Sequence, residues 1–100
     1  MDVYQAIADP NRRKLLELLS LRERSVQELA MYFDVTLGAI SQHLKVLLDS
    51  HLVVRRKQGR FRLYRARPRK LKEVHDWTRQ YERAWESRLD RLGDYLEEQE

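Results

Sequence analysis

Two neighbouring segments of the chain carry the side chains best suited to molecular recognition. The first presents hydroxyl, amide and amino groups on the exposed face of a predicted helix, and the second concentrates five cations within eight residues. They are Ser41, Gln42 and Lys45 in the first segment, and Arg55, Arg56, Lys57, Arg60 and Arg62 in the second. Amide and hydroxyl groups pair with base edges, whereas arginine and lysine neutralise phosphates. Together the two segments indicate a surface for double-stranded DNA.

The same sequence offers little for catalysis or metal binding. The 100 residues include no cysteine, so thiolate metal sites, disulfides and cysteine nucleophiles cannot form within them. His43 and His51 are interpreted as structural, and His75 diverges from the adjacent Asp76 by about 100° around a helix. We find neither a phosphate-binding glycine loop nor a nucleophile–base set. We therefore expect no enzyme activity, no cofactor and no metal site.

The charge is distributed unevenly along the chain. Residues 36–70 contain ten basic residues and one acid, a net charge of +9, whereas the flanking segments carry −1 and −4. A basic block of this kind is typical of a polyanion-binding surface, although a solvated basic hairpin would have the same composition. No run approaches the roughly 18 apolar residues that span a membrane, and the N-terminus lacks a secretory signal pattern. We expect one domain over residues 1–100, located in the cytoplasm.

The helical periodicity predicts four helices before the basic segment. A short helix covers residues 3–8, and Asp9-Pro10 begins a second that ends near residue 20. Ser25 and Glu28 have the spacing of a capping box, which predicts a third helix over residues 26–33. Thr36 caps a fourth over residues 37–50. The third and fourth helices, joined by a turn of three or four residues, form a predicted helix-turn-helix over about 26–50.

After residue 51 the periodicity changes. Residues 52–67 predict a two-stranded hairpin, or wing, with a tight turn at Gln58-Gly59, and Pro68 ends it. Residues 68–97 then predict one long helix with apolar side chains at helical spacing. Its stripe of Trp77, Tyr81 and Trp85 could line a ligand pocket, but a dimer interface accounts better for two tryptophans on so small a domain. The predicted order is α-α-α-α-β-β-α, a mostly helical winged helix-turn-helix.

Residues 4–66 resemble the ArsR/SmtB family of bacterial repressors. The resemblance rests on ADPNRRKLLELL, SVQELAMYFDVT, ISQHLKVLLDSHLV and the wing RRKQGRFRLY. It implies a dimer that binds an operator and blocks transcription until a signal, such as a small molecule or a protein, releases it. It also implies that the first and last helices form the dimer interface, which here involves Val3, Tyr4, Ile7, Trp77, Tyr81, Trp85, Leu89 and Leu92.

The chain departs from the family pattern at three places. Thr36, Leu37 and Gly38 occupy the positions of a Ser-Gln-Pro-like run at the start of the recognition helix, so we include them in the predicted DNA surface. His51 stands where glycine is common, which predicts an unusual cap with positive φ. Ala30 and Tyr32 replace the Cys-x-Cys pair of one metal-sensing type. We therefore expect no response to metals through the family's known sites.

The sequence thus predicts a homodimeric repressor that reads an inverted-repeat operator. The alternative is a winged-helix interaction module that docks an acidic protein through its basic wing.

Overall fold

The computed structural model describes the backbone of residues 1–99 and the side-chain environment of residues 1–88. The helices are α1 (Val3–Ala6), α2 (Pro10–Leu21), α3 (Val26–Ala30), α4 (Leu37–Asp49) and α5 (Leu71–Gln99), and the strands are β1 (Arg24–Ser25), β2 (Val53–Gln58) and β3 (Phe61–Ala66). The predicted winged helix-turn-helix is confirmed. Its core is built by α2, α3, α4 and the base of the wing, through buried residues that include Leu15, Leu19, Leu29, Ile40, Leu44, Leu47, Val53 and Tyr64.

The corner between α1 and α2 explains the sequence Asp9-Pro10-Asn11-Arg12-Arg13. Asp9 caps α2 by accepting hydrogen bonds from the backbone N–H groups of Asn11 at 2.8 Å and Arg12 at 3.1 Å. Partial burial alone would raise the pKa of Asp9, but these hydrogen bonds lower it overall. The guanidinium of Arg12 donates to the Ala6 carbonyl at 2.6 Å, and that of Arg13 donates to the Ile7 carbonyl at 2.8 Å. The corner therefore supplies hydrogen-bond partners both to the free C=O groups at the end of α1 and to the free N–H groups at the start of α2.

The first helix of the helix-turn-helix is shorter than predicted. It ends at Ala30 rather than near residue 33, so six residues separate it from α4. The backbone N–H groups of Tyr32 and Phe33 donate to the carbonyls three residues earlier, as in a 3-10 turn, and this ends the α-helix. Only half of the expected capping box forms. Ser25 accepts from the Glu28 N–H at 3.2 Å, whereas the Glu28 carboxylate pairs with Arg22 at 2.9 Å.

The wing is part of a three-stranded antiparallel sheet in the order β1-β3-β2, not an isolated hairpin. The added strand, Arg24–Ser25, pairs with Tyr64 and Leu63 of β3. The turn also differs by one residue from the prediction. Gln58 pairs with Phe61, so the two turn residues are Gly59 and Arg60. Gly59 has φ of 61°, as required at the first position of a type II′ turn.

The C-terminus of α4 confirms the predicted strain at His51, which has φ of 60°. The N–H of His51 bonds to the Leu48 carbonyl at 3.0 Å, and the N–H of Leu52 bonds to the Leu47 carbonyl at 2.9 Å. This is the Schellman pattern, in which glycine usually occupies the left-handed position. Leu47 and Leu52 are both buried, so their contact fixes the chain direction into β2.

We expect His51→Gly to stabilise the protein. Glycine adopts positive φ without a Cβ clash, and this gain outweighs its larger entropy in the unfolded chain. The free energy of unfolding should rise by about 0.5–1 kcal/mol, measured by urea denaturation. His51→Ala, which keeps the Cβ, is the control and should not stabilise. An equal effect of both variants would contradict a backbone origin.

The last helix begins later than predicted. Pro68–Lys70 form a 3-10 turn, and α5 starts at Leu71. The backbone N–H of Arg67 donates to the Leu52 carbonyl at 2.7 Å, which anchors the base of the wing beside the end of α4. Leu71 and Val74 then pack against the core. Further along, residues 79–88 of α5 are exposed to solvent.

Candidate nucleic-acid interface

A cleft separates the exposed face of α4 from the wing. Its volume is about 590 Å³. Ser41, Gln42 and Lys45 line it from α4, and Arg55 and Arg62 line it from the wing, together with one acid, Asp49. The structure thus brings the two predicted recognition segments together. Polar groups that can read bases lie beside cations that can hold phosphates.

Strand geometry divides the wing cations between two faces. Successive residues of a strand point to opposite faces, and directly paired residues share a face. Arg55 pairs with Tyr64, and Lys57 pairs with Arg62, so these cations lie on the face that meets the core and the cleft. Arg56 is on the other face. Arg60 is exposed at the tip of the wing.

Arg56 forms an ion pair with Glu23 that the sequence did not predict. Its Nε and Nη2 atoms donate to the two carboxylate oxygens of Glu23 at 2.8 and 2.9 Å, and Nη2 also donates to Gln58 at 3.2 Å. The hydrogen bond lowers the pKa of Glu23 and raises that of Arg56. Glu23 comes directly before β1, so only the unpredicted pairing of β1 with β3 could have indicated this contact.

Arg56 should therefore contribute less to DNA binding than Arg62. A cation already neutralised by a carboxylate releases few counterions, whereas loss of one phosphate contact lowers the slope of log K against log salt by about 0.9. We expect Arg62→Ala to lower the slope by about that amount per protomer, and Arg56→Ala by less than half of it. Fluorescence anisotropy between 50 and 300 mM salt would measure this. Equal changes in the two variants would contradict the division of the wing into two faces.

Side chains behind α3 and α4 hold the helix-turn-helix in place. The buried Arg24 donates to the Leu18 carbonyl at 3.2 Å and to the Tyr32 hydroxyl at 3.1 Å, and its guanidinium stacks over the Tyr32 ring. Arg12 lies 3.4 Å from Nδ1 of His43 on the inner side of α4. His43 is half-buried at this position, in agreement with the structural role that the sequence indicated.

The start of the recognition helix is exposed and carries the three remaining predicted DNA-binding residues. Thr36 caps α4 by accepting a hydrogen bond from the Ala39 N–H at 3.1 Å. Its hydroxyl oxygen is therefore already engaged, although the residue is exposed. Leu37 is 48% exposed, and Gly38 is exposed within the first helical turn. These positions extend the row of Ser41, Gln42 and Lys45 towards the beginning of α4.

The residues predicted for the dimer interface divide into two groups. Val3 is only 6% exposed and packs in the core of its own chain, because α1 turns Val3 and Ala6 inward, while Tyr4 and Ile7 are half-buried. Trp77, Tyr81 and Trp85 form an exposed stripe on α5, in which Trp77 makes edge-to-face contacts with Tyr4 and Tyr81. Leu89 and Leu92 lie outside the described side chains.

Within the described residues, no three His, Cys, Asp or Glu side chains converge as metal ligands do. None of the described helices is both long and apolar enough to cross a membrane.

The fold and the cleft define a winged helix-turn-helix protein. The family model described as bacterial regulatory protein, arsR family, matches residues 9–54. The transcriptional repressor SdpR of Bacillus subtilis is 30% identical over 76 residues, covering 76% of this chain and 84% of the relative. The regulator Rv2034 of Mycobacterium tuberculosis is 40% identical over 81 residues and 76% of each chain.

Solved structures agree with this assignment. A possible transcriptional regulator for arsenical resistance is 42% identical, with a TM-score of 0.71 over 88% of both chains. The winged helix-turn-helix domain of Mb0332 from Mycobacterium bovis, described as homodimeric, is 27% identical, with a TM-score of 0.65 over 77% of this chain and 71% of that one. The chain belongs to the arsR family of bacterial regulatory proteins and is a DNA-binding transcriptional regulator.

Proposed function

We propose that the protein is a homodimeric repressor that binds an inverted-repeat operator. The observation that carries this proposal is the cleft in which Ser41, Gln42 and Lys45 face Arg55 and Arg62. An exposed polar helix face fits the major groove, and an adjacent basic wing fits the phosphates and the neighbouring minor groove. The relative from Bacillus subtilis is named a transcriptional repressor, which supports repression as the outcome.

The exposed aromatic stripe on α5 supports dimerisation. Trp77, Tyr81 and Trp85 are 50%, 49% and 61% exposed within one protomer. Large exposed apolar surfaces of this kind mark association sites. A two-fold axis would place the two copies of α4 one turn of the DNA helix apart, about 34 Å, or a multiple of that distance. The homodimeric Mycobacterium bovis domain supports the same arrangement.

The remaining properties follow from this role. The protein acts in the cytoplasm, without a catalytic activity of its own. Its release from DNA does not depend on the thiolate metal sites used by some sensors, because the chain has no cysteine. The effector is instead an organic molecule or a protein, or the protein's own concentration sets repression. Membership of a DNA-binding family does not favour the alternative of a wing that docks an acidic protein.

Selection from a random-sequence duplex pool tests the proposal. The full chain should enrich an inverted repeat whose affinity falls steeply with salt and exceeds that of random duplex by about 10³-fold or more. Enrichment of no common sequence, or of a single half-site bound by a monomer, would contradict it.

A further inference from the structure

We propose that Leu37 is a specificity-determining residue that contacts the C5-methyl group of a thymine in each half-site, and that Gly38 leaves room for the base pair to approach. This inference rests on the proposed function and specifies which base is recognised at the start of α4.

The first observation is the position of Leu37. It is the first residue of α4 and is 48% exposed. Ser41 and Lys45 follow it by four and eight residues, so all three share one helix face. Ser41 and Lys45 line the cleft. Leu37 therefore extends the row of Ser41 and Lys45 by one helical turn. It places an apolar side chain at the end of a row that is otherwise polar.

The second observation concerns Gly38, which lies in the first turn of α4 without positive φ. A Cβ built at this position would meet only the Thr36 hydroxyl oxygen, at an ordinary distance of 3.9 Å. Alanine would therefore fit within the protein, and alanine is the better helix former. No contact inside the described structure requires glycine here. A base pair that approaches α4 from outside the protein would require glycine here, because a residue without a side chain permits the closest contact with the helix backbone.

The chemistry of the major groove identifies the group that an exposed leucine can recognise. Each base pair presents hydrogen-bond donors and acceptors there, and thymine alone adds an apolar methyl group. A leucine side chain cannot hydrogen-bond, so it can discriminate bases only through that methyl group. Next to a glycine, the base edge can come close enough for this contact to exclude water.

Substitution of deoxyuridine for thymine tests the contact, because it removes only the methyl group. The probe is the duplex that the wild-type protein selects from a random pool, with each thymine pair of the two half-sites replaced in turn. At one symmetric position we expect wild-type affinity to fall about threefold to fivefold for one half-site and roughly tenfold to twentyfold for both. Leu37→Ala should bind the thymine and uracil duplexes equally. Gln80→Ala, at an exposed position of α5 outside the cleft, is the control and should keep the full methyl response.

Gly38→Ala supplies an independent measurement. It should raise the melting temperature by about 3–6 °C, since it improves the helix. It should also lower affinity for the selected duplex about tenfold, while binding to random duplex changes little. Greater stability with unchanged affinity would show that nothing approaches Gly38.

The outcomes separate the two levels of inference. A wild-type protein with no preferred duplex would overturn the proposed function, and the role of Leu37 with it. A preferred duplex that is insensitive to every thymine methyl group would overturn the role of Leu37 alone. Retention of the methyl response in Leu37→Ala would assign the contact to another residue.

Discussion

Trp85→Glu is expected to convert the dimer into monomers and to weaken operator binding by about 10²- to 10⁴-fold. Trp85 is 61% exposed in the protomer, so the substitution removes little packing within one chain. At a dimer interface the indole would be buried and contribute several kcal/mol, whereas a carboxylate would be desolvated there without a partner. A monomer then contacts one half-site and loses the effective concentration that joins the two.

Light scattering at micromolar protein concentration and anisotropy with the selected duplex measure the two effects. Arg83→Gln is the control, because it changes the net charge by the same amount on the opposite side of α5. It should remain dimeric. A circular dichroism spectrum of Trp85→Glu close to that of the wild type confirms that the helices persist. A wild-type protein that scatters as a monomer would refute the interface.

The helices could be predicted because their signals are local. Asp9-Pro10 and Thr36 mark helix starts by satisfying N–H groups within three residues of themselves, and α4 keeps its apolar period throughout. The positive φ of His51 was predicted differently, from the glycine that is common at this position in the resembled family, whereas the helix starts and the period of α4 are read from the sequence itself. These features depend on neighbours in sequence.

The features that the sequence did not reveal depend on distant partners. Arg24–Ser25 has no strand propensity, and it is extended only because β3 offers a free edge. Arg56 and Glu23 lie 33 residues apart and meet only after β1 is in place. For the same reason, the five basic residues within residues 55–62 could not be divided into cleft-facing and outward-facing cations before the register was known. Composition indicates that a surface is basic, whereas strand pairing decides which cations face the cleft.

The burial of Val3 illustrates a further limit. A four-residue helix is too short for its periodicity to show which face meets the core. The family resemblance therefore implied one interface for Val3, Tyr4 and Ile7 together. In the structure Val3 packs inward, while the Tyr4 ring meets Trp77 of α5. We therefore propose that the α1 side of the dimer contact involves Tyr4 and Ile7 rather than Val3.

Ser41→Ala and Gln42→Ala are each expected to relax sequence preference while sparing general affinity. Both side chains are exposed on α4 and line the cleft, but neither carries a charge. Loss of a hydrogen bond to a base edge costs about 1–3 kcal/mol on the selected duplex, a factor of roughly 5 to 150. Binding to random duplex depends on phosphate contacts and should stay within about twofold, with an unchanged salt slope.

The α4 variants and a wing variant together test whether base reading and phosphate binding are carried by different side chains. Arg62→Ala should weaken selected and random duplexes by the same factor, because phosphates are identical in both. Gln80→Ala, an exposed glutamine on α5 remote from the cleft, should change neither. Anisotropy titrations of all variants against both duplexes at one salt concentration decide the matter. If Gln42→Ala weakened the two duplexes equally, Gln42 would be a backbone contact, and the base-reading role would pass to the remaining exposed side chains of α4.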